Sequence, residues 1–85
     1  KLAEADDLQL AEVVVRTDSP LLNRTVAQLR LLDRHGLHLL AVAREGGRLK
    51  QRLNAVRFRV GDVLLLQGDE KDLGESLAEL GCLPL

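Results

Sequence analysis

The sequence predicts an α+β fold, a mostly antiparallel sheet with helices packed on it, and three observations carry that reading. Apolar runs rich in Val and Leu, at Val13–Val15, Leu37–Arg44 and Val63–Leu66, are bounded by turn-forming residues, as strands are. Two stretches show helical spacing between a capping residue and a glycine: Thr25 to Gly36 and Asp69 to Gly81. Two of the connections between the strands from Leu37 to Leu66, Glu45–Gly47 and Gly61–Asp62, are glycine-containing turns, the pattern of hairpins.

Taken in order, residues 1–7 are charged and Ala-containing and read as a linker, leaving residues 8–85 as the domain. Leu8 to Arg16 brings together Val13, Val14 and Val15, β-branched residues that favour a strand. Thr17, Asp18, Ser19 and Pro20 break it, and Pro20 biases Ser19 towards an extended corner. Thr25 and Gln28 form a capping-box pattern that starts a helix. Val26, Leu29 and Leu32 recur on one face of that helix, and Gly36 ends it in a left-handed conformation. Leu37 to Arg44 is apolar on both faces and reads as a strand that is central in the sheet or covered on both sides. Glu45, Gly46 and Gly47 turn the chain, and Arg48 to Gln51 returns as a short hairpin partner.

Val56, Phe58 and Val60 alternate with Arg57 and Arg59, the period of a half-buried strand. Gly61 and Asp62 turn into Val63–Leu66, a short buried strand closed by Gly68. Asp69 caps the last helix, with Glu70 and Asp72 in its first turn. Leu73, Leu77 and Leu80 give that helix one apolar stripe, Gly74 weakens it by about 1 kcal/mol relative to Ala, and Gly81 ends it. The predicted order is strand, helix, four strands, helix.

Composition narrows the function. A chain of 85 residues forms one domain with little stability to spare, and pairing with a second copy would add to it. Phe58 is the sole aromatic and the net charge is −1. Neither a stacking platform nor a basic excess points to a nucleic-acid partner. Cys82, the single cysteine, can form neither an internal disulfide nor a thiolate zinc cluster, which fits a reducing cytosol. No apolar run approaches the roughly 18 residues of a membrane span, and no signal-peptide pattern opens the chain. A start at Lys1 and a lack of methionine read as a piece of a longer protein.

Six basic residues, Arg44, Arg48, Lys50, Arg52, Arg57 and Arg59, fall in one short region opposed only by Glu45. Were the hairpin strands to share a face, these would form an anion site for phosphates, a carboxylate or lipid headgroups, because Arg presents a planar fork of donors. The plainer alternative is the wet outer side of a half-buried hairpin. His35 and His38 lack the spacing of a helical zinc pair, and His35 suits the negative end of its helix. Ser19 has no positioned base, Cys82 sits beside an expected frayed terminus, and Gly46-Gly47 lacks the spacing of a phosphate loop. The expectation is therefore a domain that is not an enzyme and carries no cofactor.

Four segments, in this order and spacing, resemble the TrkA-C (RCK-C) domain family. They are Ser19-Pro20-Leu21-Leu22-Asn23-Arg24-Thr25, Leu29-Arg30 leading to Asp33-Arg34-His35-Gly36, Leu39-Leu40-Ala41-Val42, and Val60-Gly61-Asp62-Val63-Leu64-Leu65-Leu66-Gln67-Gly68. Asn23 stands where the family commonly has Gly, and Asn tolerates a positive φ. The resemblance implies a cytoplasmic module that dimerises or pairs with a sister domain and binds a small ligand to control a potassium system or a permease. The wording around Val60–Gly68 is more similar to the permease-inserted kind. Family members that bind cyclic di-AMP carry Arg four residues before the helix-ending Gly and Asn two after it. Leu32 and His38 stand there in this sequence, so that ligand set is not carried over. The expected ligand, a nucleotide or dicarboxylate, is assigned to Arg34, His38, Arg44, Arg48, Arg57 and Arg59, and the dimer interface to Leu21, Leu22, Leu37 and Leu39. The alternative is an assembly module without a small-molecule ligand. A further one is an accessory module of a transcription regulator.

Overall fold

The computed structural model describes residues 8–85; the linker expected over residues 1–7 lies outside them. Five antiparallel strands form one sheet in the order β3-β2-β4-β1-β5. They are β1 (Leu8–Val15), β2 (His38–Arg44), β3 (Gly47–Arg48), β4 (Val63–Asp69) and β5 (Cys82–Pro84). The helices are α1 (Val26–Leu29), α2 (Leu31–His35) and α3 (Glu70–Glu79), with a 3₁₀ turn at Leu53–Ala55. The α+β expectation therefore holds.

Alternation decides which side chains enter the core. Val13 and Val15 of β1, Val42 of β2, and Leu64 and Leu66 of β4 point to one side and are buried. On that side they meet Leu21, Leu31, Leu37, Val56, Phe58, Leu73 and Leu80 in a single cluster. All three helices supply residues to this side, so the structure is a two-layer one. Among the described residues no helix covers the opposite face, where Leu10 is 61% exposed and Val14, Val63 and Leu65 are only half-buried. Of the two alternatives for β2, the structure has the first: the strand is interior, between β3 and β4, with one face open.

The local stop and start signals work as read. Thr25 Oγ1 accepts from the Gln28 N–H, and Gln28 Oε1 accepts from the Thr25 N–H, closing the capping box. Asp69 caps α3 by accepting from the Asp72 N–H at 2.7 Å. Asn23 takes a left-handed φ of 63°. The two residues Glu45 and Gly46 form the β2–β3 turn with φ of 54° and 83°, the pair of positive values a tight hairpin needs.

Five elements differ from the expectation. The helix expected from Thr25 to Gly36 is broken by Arg30, at φ 52°. The break shifts the helical phase, so that Leu31 enters the core and Leu32 is left 53% exposed. Val56–Val60 is not a strand of the sheet. It runs extended alongside the corner at Asn23 and Arg24, with Phe58 N–H donating to Arg24 O and Asn23 N–H to Phe58 O, so Val56 and Phe58 still reach the core. The hairpin return is limited to Gly47–Arg48. β4 continues through Gly68, because a side chain there would lie 2.8 Å from Leu37 Cδ2 and 3.1 Å from Gly36 O. Only glycine lets the α2–β2 junction settle on the strand.

The C-terminus carries the fifth difference. Cys82 is not at a frayed end but buried in β5, paired with Val15. Burial pushes its thiol up from 9.0 to about 11. At pH 8 its thiolate fraction is then about 100-fold below that of an unfolded chain. Alkylation by iodoacetamide at that pH should be slower by at least this factor in the native chain than in urea. Equal rates would show that Cys82 is accessible. Because the unfolded chain loses this proton first, the Cys82 contribution to stability is complete below about pH 9 and declines towards pH 11.

Candidate functional site

A groove of about 440 Å³ opens between α1, α2, the start of β2 and the 3₁₀ turn. Its formation follows from the sequence at each edge. The capping box places Val26 at the first position of α1. The left-handed break at Arg30 sinks Leu31 and swings Leu32 out over the groove. Gly36, at φ 68°, turns the chain so that Leu37 faces the core and His38 faces outward at the head of β2. The 3₁₀ turn supplies Leu53 and Asn54 from the other side, with Arg52 just before it. The lining is thus apolar from Val26, Leu32, Leu37, Leu39 and Leu53, and polar from His38, Arg52 and Asn54. Such a groove suits a small molecule with a flat or apolar body and an anionic or hydrogen-bonding group. Arg52 offers it a cationic fork and His38 and Asn54 offer donors and acceptors.

The basic cluster is not gathered into one anion site. Arg44 is bound in the fold: its Nε and an Nη each donate to a different carboxylate oxygen of Asp62, both at 2.8 Å. Asp62 is 1% exposed, and its Oδ2 also accepts from the Arg59 N–H at 2.9 Å. The hydrogen bond to Asp62 holds the Arg44 guanidinium above its ordinary pKa, against the opposing effect of burial. Arg44 further donates to Arg57 O, and Arg57 donates to Asn23 O at 3.0 Å. Both side chains therefore help hold the 57–62 segment in place. Arg48 is exposed on β3 beside a separate hollow of about 390 Å³ formed with Leu49, Lys50, Gln51 and Leu53. Arg59 and Arg34 are exposed and lie outside the set that lines the groove.

Of the expected ligand residues, only His38 lines the groove. Arg52 belonged to the basic run read from sequence, whereas Asn54 carried no local signal. Leu32 and His38, the two positions at which the resemblance places ligand contacts, lie together in the lining. Among the expected interface residues, Leu21 and Leu37 are 1% exposed and belong to the core of the single chain, with no side-chain surface left for a partner. Leu22 and Leu39 are half-buried against that core. His35 ends α2, with Nδ1 3.4 Å from the Glu79 carboxylate. No three His, Cys, Asp or Glu side chains cluster as metal ligands among the described residues. None of the described helices is long and apolar enough to cross a membrane.

Comparison of the sequence with known proteins identifies its relatives. A relative in Synechocystis sp. (strain ATCC 27184 / PCC 6803 / Kazusa), named "Uncharacterized transporter sll0640", is 37% identical over 65 residues. That stretch is 76% of this chain and 11% of the relative, so the chain spans a small part of the relative's length. The sequence profile of the TrkA-C domain matches residues 10–81, which include all of α1, α2, α3 and β2–β4. The chain belongs to the TrkA-C domain family.

Proposed function

We propose that this domain is a cytosolic regulatory module of a membrane transport protein, which senses a small ligand in the Leu32–His38–Arg52 groove and pairs with a second copy or a sister domain. The groove is the observation that carries the reading: apolar walls with His38, Arg52 and Asn54 among the lining residues. Membership of the TrkA-C family and a transporter relative support the regulatory setting. The ligand class is a nucleotide or dicarboxylate, with its anionic group at Arg52. Regulation works by population shift: a ligand that fits one paired arrangement better than another favours it by the difference in affinity. A second reading, an assembly module with no small-molecule ligand, draws on Arg44 and Arg57, whose guanidinium groups are engaged within the fold.

A thermal-shift screen against nucleotides, cyclic dinucleotides and dicarboxylates at two salt concentrations separates these readings. A ligand at 100 times its dissociation constant stabilises by about 2.7 kcal/mol, a rise of several degrees in a domain of this size. The shift should survive higher salt and disappear in Arg52→Ala. A flat screen would favour the assembly reading, and a shift unchanged by Arg52→Ala would place the ligand elsewhere.

A further inference from the structure

The net charge of −1 conceals a division of charge across the sheet. Between Arg44 and Asp62 six basic residues oppose Glu45 and Asp62, a net charge of +4. Between Asp69 and Glu79 five acidic residues oppose Lys71, a net charge of −4. The first segment leads out of β2 through β3, one edge of the sheet. The second is α3 with its cap, which packs on β4, β1 and β5, towards the other edge. The two edges are four strand spacings apart, about 19 Å. That is roughly twice the Debye length at physiological salt, so the acids of α3 leave the potential of the basic edge nearly intact. Within the basic segment the cations divide again. Arg44 and Arg57 bond within the fold, to Asp62 and to Asn23 O. Arg48, Lys50 and Arg52 are exposed, and among the described residues none of them has a carboxylate partner. Their backbone is nonetheless fixed: the Leu49 N–H donates to Val42 O at 2.8 Å, and Leu49 and Leu53 pack against the core. Arg48 and Lys50 border one hollow and Arg52 the adjoining groove, with Leu53 shared by both, so the three form one continuous basic strip.

We propose that this strip faces an anionic lipid surface, with Arg48, Lys50 and Arg52 against the headgroup phosphates and α3 turned away; the proposal rests on the membrane-transport setting put forward above and supplies the domain's orientation to the bilayer. A fixed backbone with exposed cationic heads suits a planar charged surface, where approach to within a Debye length is enough. A small anion needs donors converging on one point, whereas these three are spread from the β3 edge to the 3₁₀ turn. Single-stranded nucleic acid is bound on aromatic faces, and Phe58, the sole aromatic, is 1% exposed. Each Lys or Arg near an anionic leaflet raises partitioning roughly fivefold, so three raise it roughly a hundredfold. That is weak for a free domain but sufficient to orient one held beside the bilayer by a parent transport protein. The acidic α3 adds direction, because approach by the opposite edge is repelled.

Co-sedimentation of the chain with lipid vesicles tests the orientation. Phosphatidylcholine vesicles containing about one-third phosphatidylglycerol should bind at least about tenfold more tightly than phosphatidylcholine alone at low salt. The difference should vanish at about 1 M salt, where the Debye length is about 3 Å. Arg48→Glu combined with Lys50→Glu should abolish it with unchanged circular dichroism. Lys71→Glu makes the same change of charge as Lys50→Glu, but on the exposed side of α3, and should leave binding within about twofold of wild type. Equal losses in Lys50→Glu and Lys71→Glu would show that net charge alone governs binding and would overturn the surface. Tighter retention on poly-glutamate than on vesicles of equal charge would overturn the lipid and assign the strip to an acidic protein segment. The double variant keeps Arg52, so its response in the thermal-shift screen should match that of the wild type and separate this strip from the groove. No preference for phosphatidylglycerol overturns the orientation and leaves the thermal-shift outcome, on which the regulatory reading is judged, untouched.

Discussion

Asp62→Ala is expected to destabilise the domain by about 3 kcal/mol, lowering its melting temperature by roughly 15 °C. Asp62 is 1% exposed and makes three charge-assisted contacts: two from the Arg44 fork and one from the Arg59 N–H. Its backbone adds two more ties, accepting from the Val15 N–H and donating to Arg59 O. Through this one residue the ends of β1 and β2 are held to the start of β4. Removing the carboxylate leaves the Arg44 guanidinium, 16% exposed, without its partner and the Arg59 N–H without its acceptor. Each orphaned group costs its desolvation, and the charged one costs more. Urea unfolding should show a lower midpoint with the same slope. Replacing both partners by leucine should recover part of the loss, because no unpaired charge then remains. A loss below about 1 kcal/mol for Asp62→Ala would mean that water screens the pair as it does a surface ion pair.

The Arg44–Asp62 pair also marks the limit of what the sequence reveals. Signals that act within a few residues were legible: the Thr25–Gln28 box, Gly36, Asn23 and the Asp69 cap depend only on neighbouring backbone. Arg44 and Asp62 are separated by 18 positions and meet only because β2 and β4 pair. From sequence alone Arg44 is one member of a basic run. Val56, Phe58 and Val60 show the same limit in another form. Their period of two correctly marks Val56 and Phe58 as buried, but period does not say which backbone they bond to, and the partner is the corner at Asn23 and Arg24. β5 is too short for any periodicity and exists because Val15 and Val14 offer it a free edge. The left-handed turn at Arg30 has no glycine to announce it, so the apolar stripe of the first helix was read through Leu32 instead of Leu31. The groove itself depends on that break. Of its lining residues on the α2–β2 side, Leu32 and His38 stand at family ligand positions whose ligand set was not carried over, and Asn54 was reachable only through the fold.

Gly81→Ala is the second large effect expected, at about 3 kcal/mol or more, from strain, overpacking and weakened hydrogen bonds together. Gly81 has φ of 68°, where a side chain is disfavoured by sterics within the residue itself. An added Cβ would also lie 2.6 Å from Ser19 Cα and 2.9 Å from Ser19 Cβ, with Pro20 Cδ at 3.1 Å. These atoms are backbone or next to it, and Pro20 stiffens the corner, so no flexible side chain can yield. Ser19 is fixed there by its own bonds: its hydroxyl donates to Leu80 O at 2.6 Å and accepts from the Leu21 N–H at 3.0 Å. The Arg16 N–H donates to Gly81 O at 3.0 Å and completes the junction. Any shift that relieves the clash must loosen these bonds and move β5 away from β1. The variant should therefore combine a lowered melting temperature with faster alkylation of Cys82, whose burial depends on β5 pairing with Val15. A variant that melts within a few degrees of wild type and keeps Cys82 protected would show that the α3–β5 turn can move without disturbing the corner at Ser19.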